Sequence, residues 1–339
     1  MRKGWLIMLS LILAFSIAGC GTTESNDSTK ENITQATTQL ESAAADEKKS
    51  TVYMTKDISP EAIIRIYQTL GREAKGKVAV KVHMGEPGGN NYLKPDLVKD
   101  FVLSVNGTFV DSNTAYGGLR ANTAAHMQAA EDHGFTAYTK VDILDSEGSV
   151  SLPIKNGKHL TEDLVGAHYK DYEFYVILSH FKGHSMGGFG GALKNMSIGF
   201  ATPQGKNLIH NAGEGDKNSW LRGGYDQDEF LESMAEAAKA IVDDAGENII
   251  YINIMNNLSV DCDCDGSPAA PAMDDIGILS SLDPVALDKA CVDQIYAADE
   301  QKSASLRARI QSRNGTHTLD YAEELGIGSK KYELVMIDE

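Results

Sequence analysis

An apolar run from Phe174 to Leu178 ends abruptly in SHFKGHSMGGFGGALKN, and this junction constrains the chain more than any other stretch. FYVIL is rich in aromatic and β-branched residues and has the length of a buried strand. Behind it, His180, Lys182, His184 and Lys194 are interleaved with Gly183, Gly187, Gly188, Gly190 and Gly191. Such a composition neither fills a core nor sustains a regular helix, so the segment reads as a loop that brings backbone close to something. Ligands of open α/β sheets bind beyond the carboxyl ends of the strands, which makes this loop the first site candidate. The bland alternative is a glycine-rich turn carrying solvated basic residues.

From Thr51 onward the pattern alternates as βαβ units do. Thr51–Met54 reads as a strand. Ser59 is an N-cap with Pro60 at the first helical position, for a helix whose Ile63, Ile64, Tyr67 and Leu70 share a face and which Gly71 ends. Val78–Val82 is a buried strand that opens into HMGEPGG, with His83 and Glu86. A helix from Pro95, a strand at Thr108–Asp111 and a helix capped by Asn122 or Thr123 follow. Tyr138 to Ile154 reads as antiparallel strands around a turn at Asp145–Gly148. Asp226 or Asp228 starts an amphipathic helix to about Asp244, Ile249–Met255 is an apolar strand, Ile276–Leu279 is a last core strand, and Pro284 opens a helix behind Asp283. The fold class is α/β, a mostly parallel, mixed sheet with helices on both faces, over residues 51–339. Length alone leaves one domain or two lobes open. Three strand ends carry unusual chemistry: His83 with Glu86; His180, Lys182, His184 and Lys194; and Cys262 with Cys264. In a parallel sheet all three open on one edge, and convergence on one pocket follows from topology.

Ahead of this domain stands a leader. MRKGWLIMLSLILAFSIAGC has a basic tip, an apolar segment from Trp5 to Ile17 too short for a comfortable membrane span, and small residues before Cys20. Residues 21–50 are polar, poor in large apolar residues and aperiodic, the composition of a disordered tether. Thirty flexible residues span on the order of 30 Å.

The formal charge is −17, and loss of Arg2 and Lys3 with the leader takes it to about −19. No segment offers the basic footprint that nucleic acid requires, and the acidity reads as a solubility feature. Once Cys20 is set apart, Cys262, Cys264 and Cys291 remain, an odd count. Cys262-x-Cys264 is compatible with a soft metal or reactive-thiol role, with a small strained disulfide ring, or with inert loop cysteines, and the residues leave these open. Cys291 lies at helical spacing among Val285, Leu287 and Ile295 and reads as a buried small hydrophobe. Asp274 and Asp275 are candidate additional ligands to the cysteine loop. No Cys-x-x-Cys-x-x-Cys run is present.

Several of these strings resemble known families. KGHSMGGFGGALKN, DIGILSSLDPVALDKA, NNLSVDCDC and ELGIGSKKYEL together resemble the signatures of domain of unknown function 362, over roughly residues 50–339. That family supplies no reaction, and many of its members carry a ferredoxin module absent here. Ile17-Ala18-Gly19-Cys20 resembles a bacterial lipobox, which implies cleavage before Cys20, diacylation of its sulfur and attachment to the extracytoplasmic face of the cell membrane. The order histidine, glycine-rich turn, lysine, histidine is similar to that of the nickel-pincer lactate racemase family. That similarity implies His184 as proton-transfer residue, Lys194 as covalent holder of a nickel–pyridinium cofactor and His210 as nickel ligand.

Beside the resemblance, the side chains suit proton or anion work: imidazole titrates near neutrality and a desolvated lysine binds an oxyanion or loses its proton. The candidate catalytic residues are His184, Lys194 and Lys182. Lys194, Gly187, Gly188, Gly190, Gly191, Asn195 and His210 are candidates for holding a small-molecule or cofactor ligand, the glycine amides beside Lys194 forming a nest for carboxylate or phosphate. Cys262, Cys264 and His184 are candidate ligands of iron, zinc or nickel. Three readings follow: a lipid-anchored cofactor or ligand protein, with racemase-like or redox activity conceivable; an iron–sulfur-associated electron-transfer module built on the two cysteines; and a non-catalytic ligand-binding lipoprotein.

Overall fold

The computed structural model describes residues 49–214, 216–220, 226–271 and 273–338. The leader, Cys20 and the tether up to residue 48 lie outside the described residues, and the tether assignment yields at its end, where Ser50 already begins the first strand.

The chain opens with β1 (Ser50–Thr55), α1 (Pro60–Thr69) and β2 (Val78–Lys81), then α2 (Pro95–Ser104), β3 (Gly107–Asp111), α3 (Thr123–Asp132) and β4 (Val141–Ile143). A small hairpin of β5 (Ser149–Pro153) and β6 (Glu162–Gly166) precedes the central β7 (Phe174–His180). Next come the short strands β8 (Lys182–His184) and β9 (Gly188–Gly190), followed by α4 (Ala192–Phe200), α5 (Pro203–His210), α6 (Gln227–Ala245) and β10 (Ile249–Met255). β11 (Gly277–Ser281), α7 (Pro284–Ala297), α8 (Glu300–Ser312), α9 (His317–Glu324) and β12 (Tyr332–Met336) complete it. Side-chain caps start the helices where the sequence places them: Ser59 accepts from Ala62 N–H, Asn122 from Ala125, Asp226 from Asp228 and Glu229, and Asp283 from Val285 and Ala286.

Eight strands form one sheet in the order β12-β1-β11-β10-β7-β2-β3-β4. β11 runs against both of its neighbours and the other pairs are parallel. From β2 the chain winds outward through β3 to β4, and from β7 it winds the other way to β10, so β2 and β7 flank a topological switch point. The sheet is covered on both faces. β7 sends Phe174, Val176 and Leu178 into a core with Ile63 and Ile66 of α1 and Val98 and Phe101 of α2. Tyr175 and Ile177 go into the opposite core, with Met196 of α4, Ile241 of α6 and Leu287 of α7. Burial on both sides explains why β7 and β10 are continuous apolar runs rather than alternating ones. Among the described residues no helix is long and apolar enough to cross a membrane.

Two readings of the sequence require correction. Tyr138 to Ile154 is not an antiparallel pair. The turn at Asp145–Gly148 exists, but β4 joins β3 in parallel, held by Leu144 N–H to Asp111 O (2.9 Å), while β5 pairs with β6. EDLVG, short and acidic at its start, carries no alternation that would announce β6. The last core strand is β11, Gly277–Ser281, close to the expected Ile276–Leu279, and beyond it the partly exposed β12 adds to the far edge beside β1 without a sequence signal. The glycine-rich stretch after β7 is a tight hairpin of β8 and β9, pairing Lys182 with Gly190 and His184 with Gly188.

Candidate functional site

β2, β7 and β10 end on the same edge, and their three mouths touch one another. The amide of Glu86 donates to Asp263 O (2.8 Å), and that of Gly183 donates to Ser259 O (2.8 Å). Gly183 admits no side chain, since a Cβ there would meet Val260 O at 2.2 Å. The joint is Asp263, between the two cysteines and 4% exposed. Its carboxylate accepts from His180 Nδ1 (2.9 Å) and from Lys182 Nζ (2.9 Å), while the other ring nitrogen of His180 faces Asn256 O at 2.6 Å. Burial works against ionisation of Asp263, but the adjacent His180 and Lys182 outweigh it and hold the carboxyl well below its ordinary range.

A second network sits at the switch point. Asn195, in the first turns of α4, donates to Lys81 O (3.2 Å), Leu178 O (3.2 Å) and Ser179 Oγ (3.1 Å), and its Oδ1 accepts from Lys81 Nζ (3.0 Å). Its amide therefore rivets α4 to the ends of β2 and β7. Lys81 also pairs with Asp111 Oδ1 (3.0 Å), and Arg120 binds Glu86 (2.8 Å). Burial is the main force lowering Lys81 to about 8, and its bond to Asp111 only partly offsets it. Asp111 is also desolvated, but Lys81 and His126 hold it well below the carboxylate range, so the pair is ionic at neutral pH. Burial, then Arg120, pushes His83 well below its ordinary value and leaves it neutral.

The backbone amides at the start of α4 are not a free anion nest. Asp288, buried in α7, accepts from Ala192 N–H (2.7 Å) and Leu193 N–H (2.9 Å) and is itself bound by Asn253 Nδ2 (2.7 Å). Gly191 is obligatory there because a Cβ would lie 2.3 Å from the Asp288 carboxylate. The positive end of the helix is thus neutralised from within. Burial raises Asp288 to about 6, against the bonds from Leu193, Asn253 and Ala192.

Around these frames lies a cavity of about 230 Å³. Among the described residues five cationic side chains line it, Lys81, Arg120, Lys182, Lys194 and Lys206, against the single carboxylate of Asp111. Lys194 is half-buried and has no hydrogen-bond or ion-pair partner among the described residues. Lys206 donates to Ala201 O. Burial, tempered by Asp145 and Asp111, lowers it to about 8. One turn beyond Lys206 on α5, the ring of His210 lies between Trp220 (4.6 Å) and Phe230 (5.0 Å), with Tyr116 against Trp220 (6.0 Å). His210 Nδ1 donates to Lys206 O (2.7 Å), which fixes its tautomer and leaves Nε2 as an acceptor; burial lowers its pKa to about 3. Asp163 of β6 stands near Lys206 with neither carboxylate oxygen hydrogen-bonded, and burial raises it to about 8. The native state then retains a proton that the unfolded chain releases near pH 4, so this contribution to stability is complete below about pH 4 and is lost as pH rises to about 8. Asp163→Asn is expected to remain as stable at pH 8 as at pH 5 where the parent weakens, which urea unfolding across that range measures. An unchanged pH profile would dismiss the buried protonated carboxyl.

Cys262, Cys264 and His184 place their ligand atoms within 4.8 Å of one another, and all three cysteines of the described chain are free. Cys262 lies beneath the cavity wall and Cys264 opens onto it. The Cys264 thiol donates to Cys262, and Lys194 and His184 add to this against burial, so Cys262 is the sulfur driven toward thiolate while Cys264 keeps its proton. His184 Nδ1 accepts from Gly187 N–H (2.9 Å) and Met186 N–H (3.3 Å), which puts its proton on Nε2.

Of the residues singled out from sequence, Lys182, His184, Gly190, Gly191, Lys194, Asn195, His210 and Cys264 line one cavity. Gly187 and Gly188 do not line it. Gly187 serves His184 through its amide, and Gly188, at φ +79°, packs against Ile310 and Gly315. Asp274 pairs with Lys302 and Asp275 accepts from Asn257 N–H, so neither joins the cysteines. Cys291 is buried as expected and takes a contact from Asn253 (3.4 Å). Sequence reasoning missed Lys81, Asp111, Arg120, Lys206, Trp220 and the framing pair Asp263 and Asp288.

The family model described as Domain of unknown function (DUF362) matches residues 78–293, more than half of the chain. No curated protein matches. Among solved structures, the lactate racemase apoprotein from Thermoanaerobacterium thermosaccharolyticum is similar at 15% identity and a TM-score of 0.43, over 72% of this chain and 56% of that one. A Thermotoga maritima protein is similar at 9% identity and a TM-score of 0.38, over 75% of this chain and 57% of that one. The chain thus spans little more than half the length of either.

Proposed function

The chain belongs to the DUF362 family, whose name assigns no reaction, and from its own residues we propose that it binds a small organic anion, as substrate or cofactor, in the cavity at the strand ends. The observation that carries this is the sign of the lining. A protein of formal charge −17 gathers five cationic side chains around about 230 Å³ and gives one of them, Lys194, no ion-pair or hydrogen-bond partner among the described residues. A cationic, partly enclosed pocket of this kind is what a small anionic ligand would neutralise. The volume lies just under the roughly 300–1,000 Å³ of drug-sized sites, which favours a compact ligand. The test is calorimetric titration with a panel of small carboxylates and phosphate esters at low and high salt. Saturable binding that weakens with salt supports the reading, and absence of heat across the panel rejects it.

The residues also fit the group that the racemase resemblance implies. Lys194 and His210 line the same cavity, and the Nδ1 bond of His210 leaves Nε2 free as a donor atom, the arrangement a metal-ligating imidazole adopts. Such a group would supply hydride or proton chemistry at a bound anion. In this reading Lys194 would hold it, His210 would ligate its metal and His184, neutral and facing the cavity, would move a proton. The mutual approach of His184, Cys262 and Cys264 favours a second reading, a soft-metal or redox centre at the thiols, which metal analysis and an absorption spectrum of the purified protein test.

We assign the anchoring to Cys20, after which the tether holds the domain at the extracytoplasmic membrane surface. Cys20→Ser is expected to abolish lipid modification and release the protein or leave its precursor unprocessed. Unchanged mass and membrane fractionation would refute the anchor.

A further inference from the structure

Within the metal reading of the thiol cluster, on which this inference rests, we propose that the ion is monovalent and soft, of the copper(I) class, held by the sulfurs of Cys262 and Cys264 alone. His184 stands within ligand distance of both sulfurs, yet its hydrogen bonding is that of an outer partner. A histidine that ligates a metal through one ring nitrogen donates its other N–H to a carbonyl or carboxylate. At His184 the second nitrogen, Nδ1, instead faces two backbone donors, Gly187 N–H at 2.9 Å and Met186 N–H at 3.3 Å. Turning the ring over would put carbon against both amides and leave them without an acceptor, so the packing fixes this orientation. The hydrogen therefore sits on Nε2, which can donate to a sulfur but has no lone pair for a metal.

Two sulfurs remain, and a metal bound between them displaces the proton that Cys264 carries. Zinc and iron–sulfur iron take three or four protein ligands, and among the described residues the cluster offers no further carboxylate: Asp263 is spent on His180 and Lys182, Asp261 is paired with Arg309, and Asp265 accepts from Ser267 N–H. Soft thiolates select copper(I). Charge agrees with this choice. Two thiolates with a monovalent cation form a complex of net charge −1, and Lys194, which has no ion-pair partner among the described residues, lines the same cavity as Cys264. Outside the ligand pair, Cys264 N–H points at Cys262 Sγ (3.4 Å), the kind of donor that steadies a bound thiolate.

The experiment is an anaerobic titration of the full-length protein, in detergent, with copper(I) under a competing chelator and separately with zinc(II). One copper(I) per chain is expected, lost on Cys262→Ser or Cys264→Ser. His184→Ala should weaken binding by no more than the roughly 10- to 100-fold typical of an outer-shell partner. Because His184→Ala also removes the acceptor of two hairpin amides, X-ray absorption of the copper form of the parent protein decides independently: two sulfur and no nitrogen neighbours are expected. A nitrogen neighbour, or tighter zinc than copper binding that disappears with His184, overturns the two-sulfur site while leaving the metal reading intact. Binding of neither ion overturns both and leaves the anion pocket untouched.

Discussion

Asp263→Ala is expected to cost about 3–5 kcal/mol of stability, because it removes the one carboxylate that a buried imidazole and a buried ammonium share. Lys182 would be left desolvated without a counter-charge and His180 without its acceptor, and the joint between the cysteine loop and the β8–β9 hairpin would lose the Lys182–Asp263 pair. For a domain of this size the change corresponds to a fall in melting temperature of roughly 10 °C. Replacing Lys182 by Met in the same molecule should recover part of the loss, since an absent pair is cheaper than a broken one. The pH dependence has a defined sign. Asp263 is held below its unfolded value, so its contribution is present above about pH 4 and disappears as pH falls through the folded value. The variant's stability should then be flatter in acid than the parent's. A loss under 1 kcal/mol, or no recovery in the double variant, would show that Asp263 is not the joint.

Why that residue escaped the sequence reading is instructive. CDCD looks like acidic surroundings for two thiols, and nothing local says that the middle aspartate turns inward to meet residues more than eighty positions earlier. Asp288 is hidden in the same way. DPVALDKA advertises Asp283 as a cap for its own helix, which it is, while Asp288 caps a different helix whose first turn is almost a hundred residues away. Periodicity reports the face on which a side chain lies and not the backbone it meets. Local signals did carry the apolar strands, the caps at Ser59, Asn122 and Asp226, and the shared edge of the three mouths. Each of these depends on a few neighbouring residues and on the rule that parallel strands end together. Glycines read as ligand-facing in the sequence because close approach by a ligand and close approach by another loop demand the same absence of a side chain. Gly183 against Val260 and Gly191 against Asp288 are both of the second kind. One signal was available and unused: Lys81 sits in the middle of VAVKV, and a lysine in a strand otherwise built for burial needs a buried partner or a function.

Lys194→Ala is expected to weaken binding of the best anion of the carboxylate and phosphate panel by at least ~30-fold, the lower end of what truncating one partner of a buried charged contact costs. Stability should change by no more than about 0.5 kcal/mol, because Lys194 has no hydrogen bond or ion pair to lose and its charge disfavours that of Lys81 nearby. Lys81→Ala provides the contrast. Lys81 closes bonds to Asp111, Asn195 and Val82 O, so its removal should damage folding and binding together. Lys182 resembles Lys81 in this respect, being committed to Asp263. The separation of the two phenotypes is what an anion site predicts, since a lysine retained only for the fold would show its cost in unfolding and not in affinity. Calorimetry for affinity and urea unfolding for stability measure the two quantities on the same preparation. Unchanged affinity in Lys194→Ala would remove the anion from the proposed position, and a destabilisation equal to that of Lys81→Ala would make Lys194 one more strut of the frame.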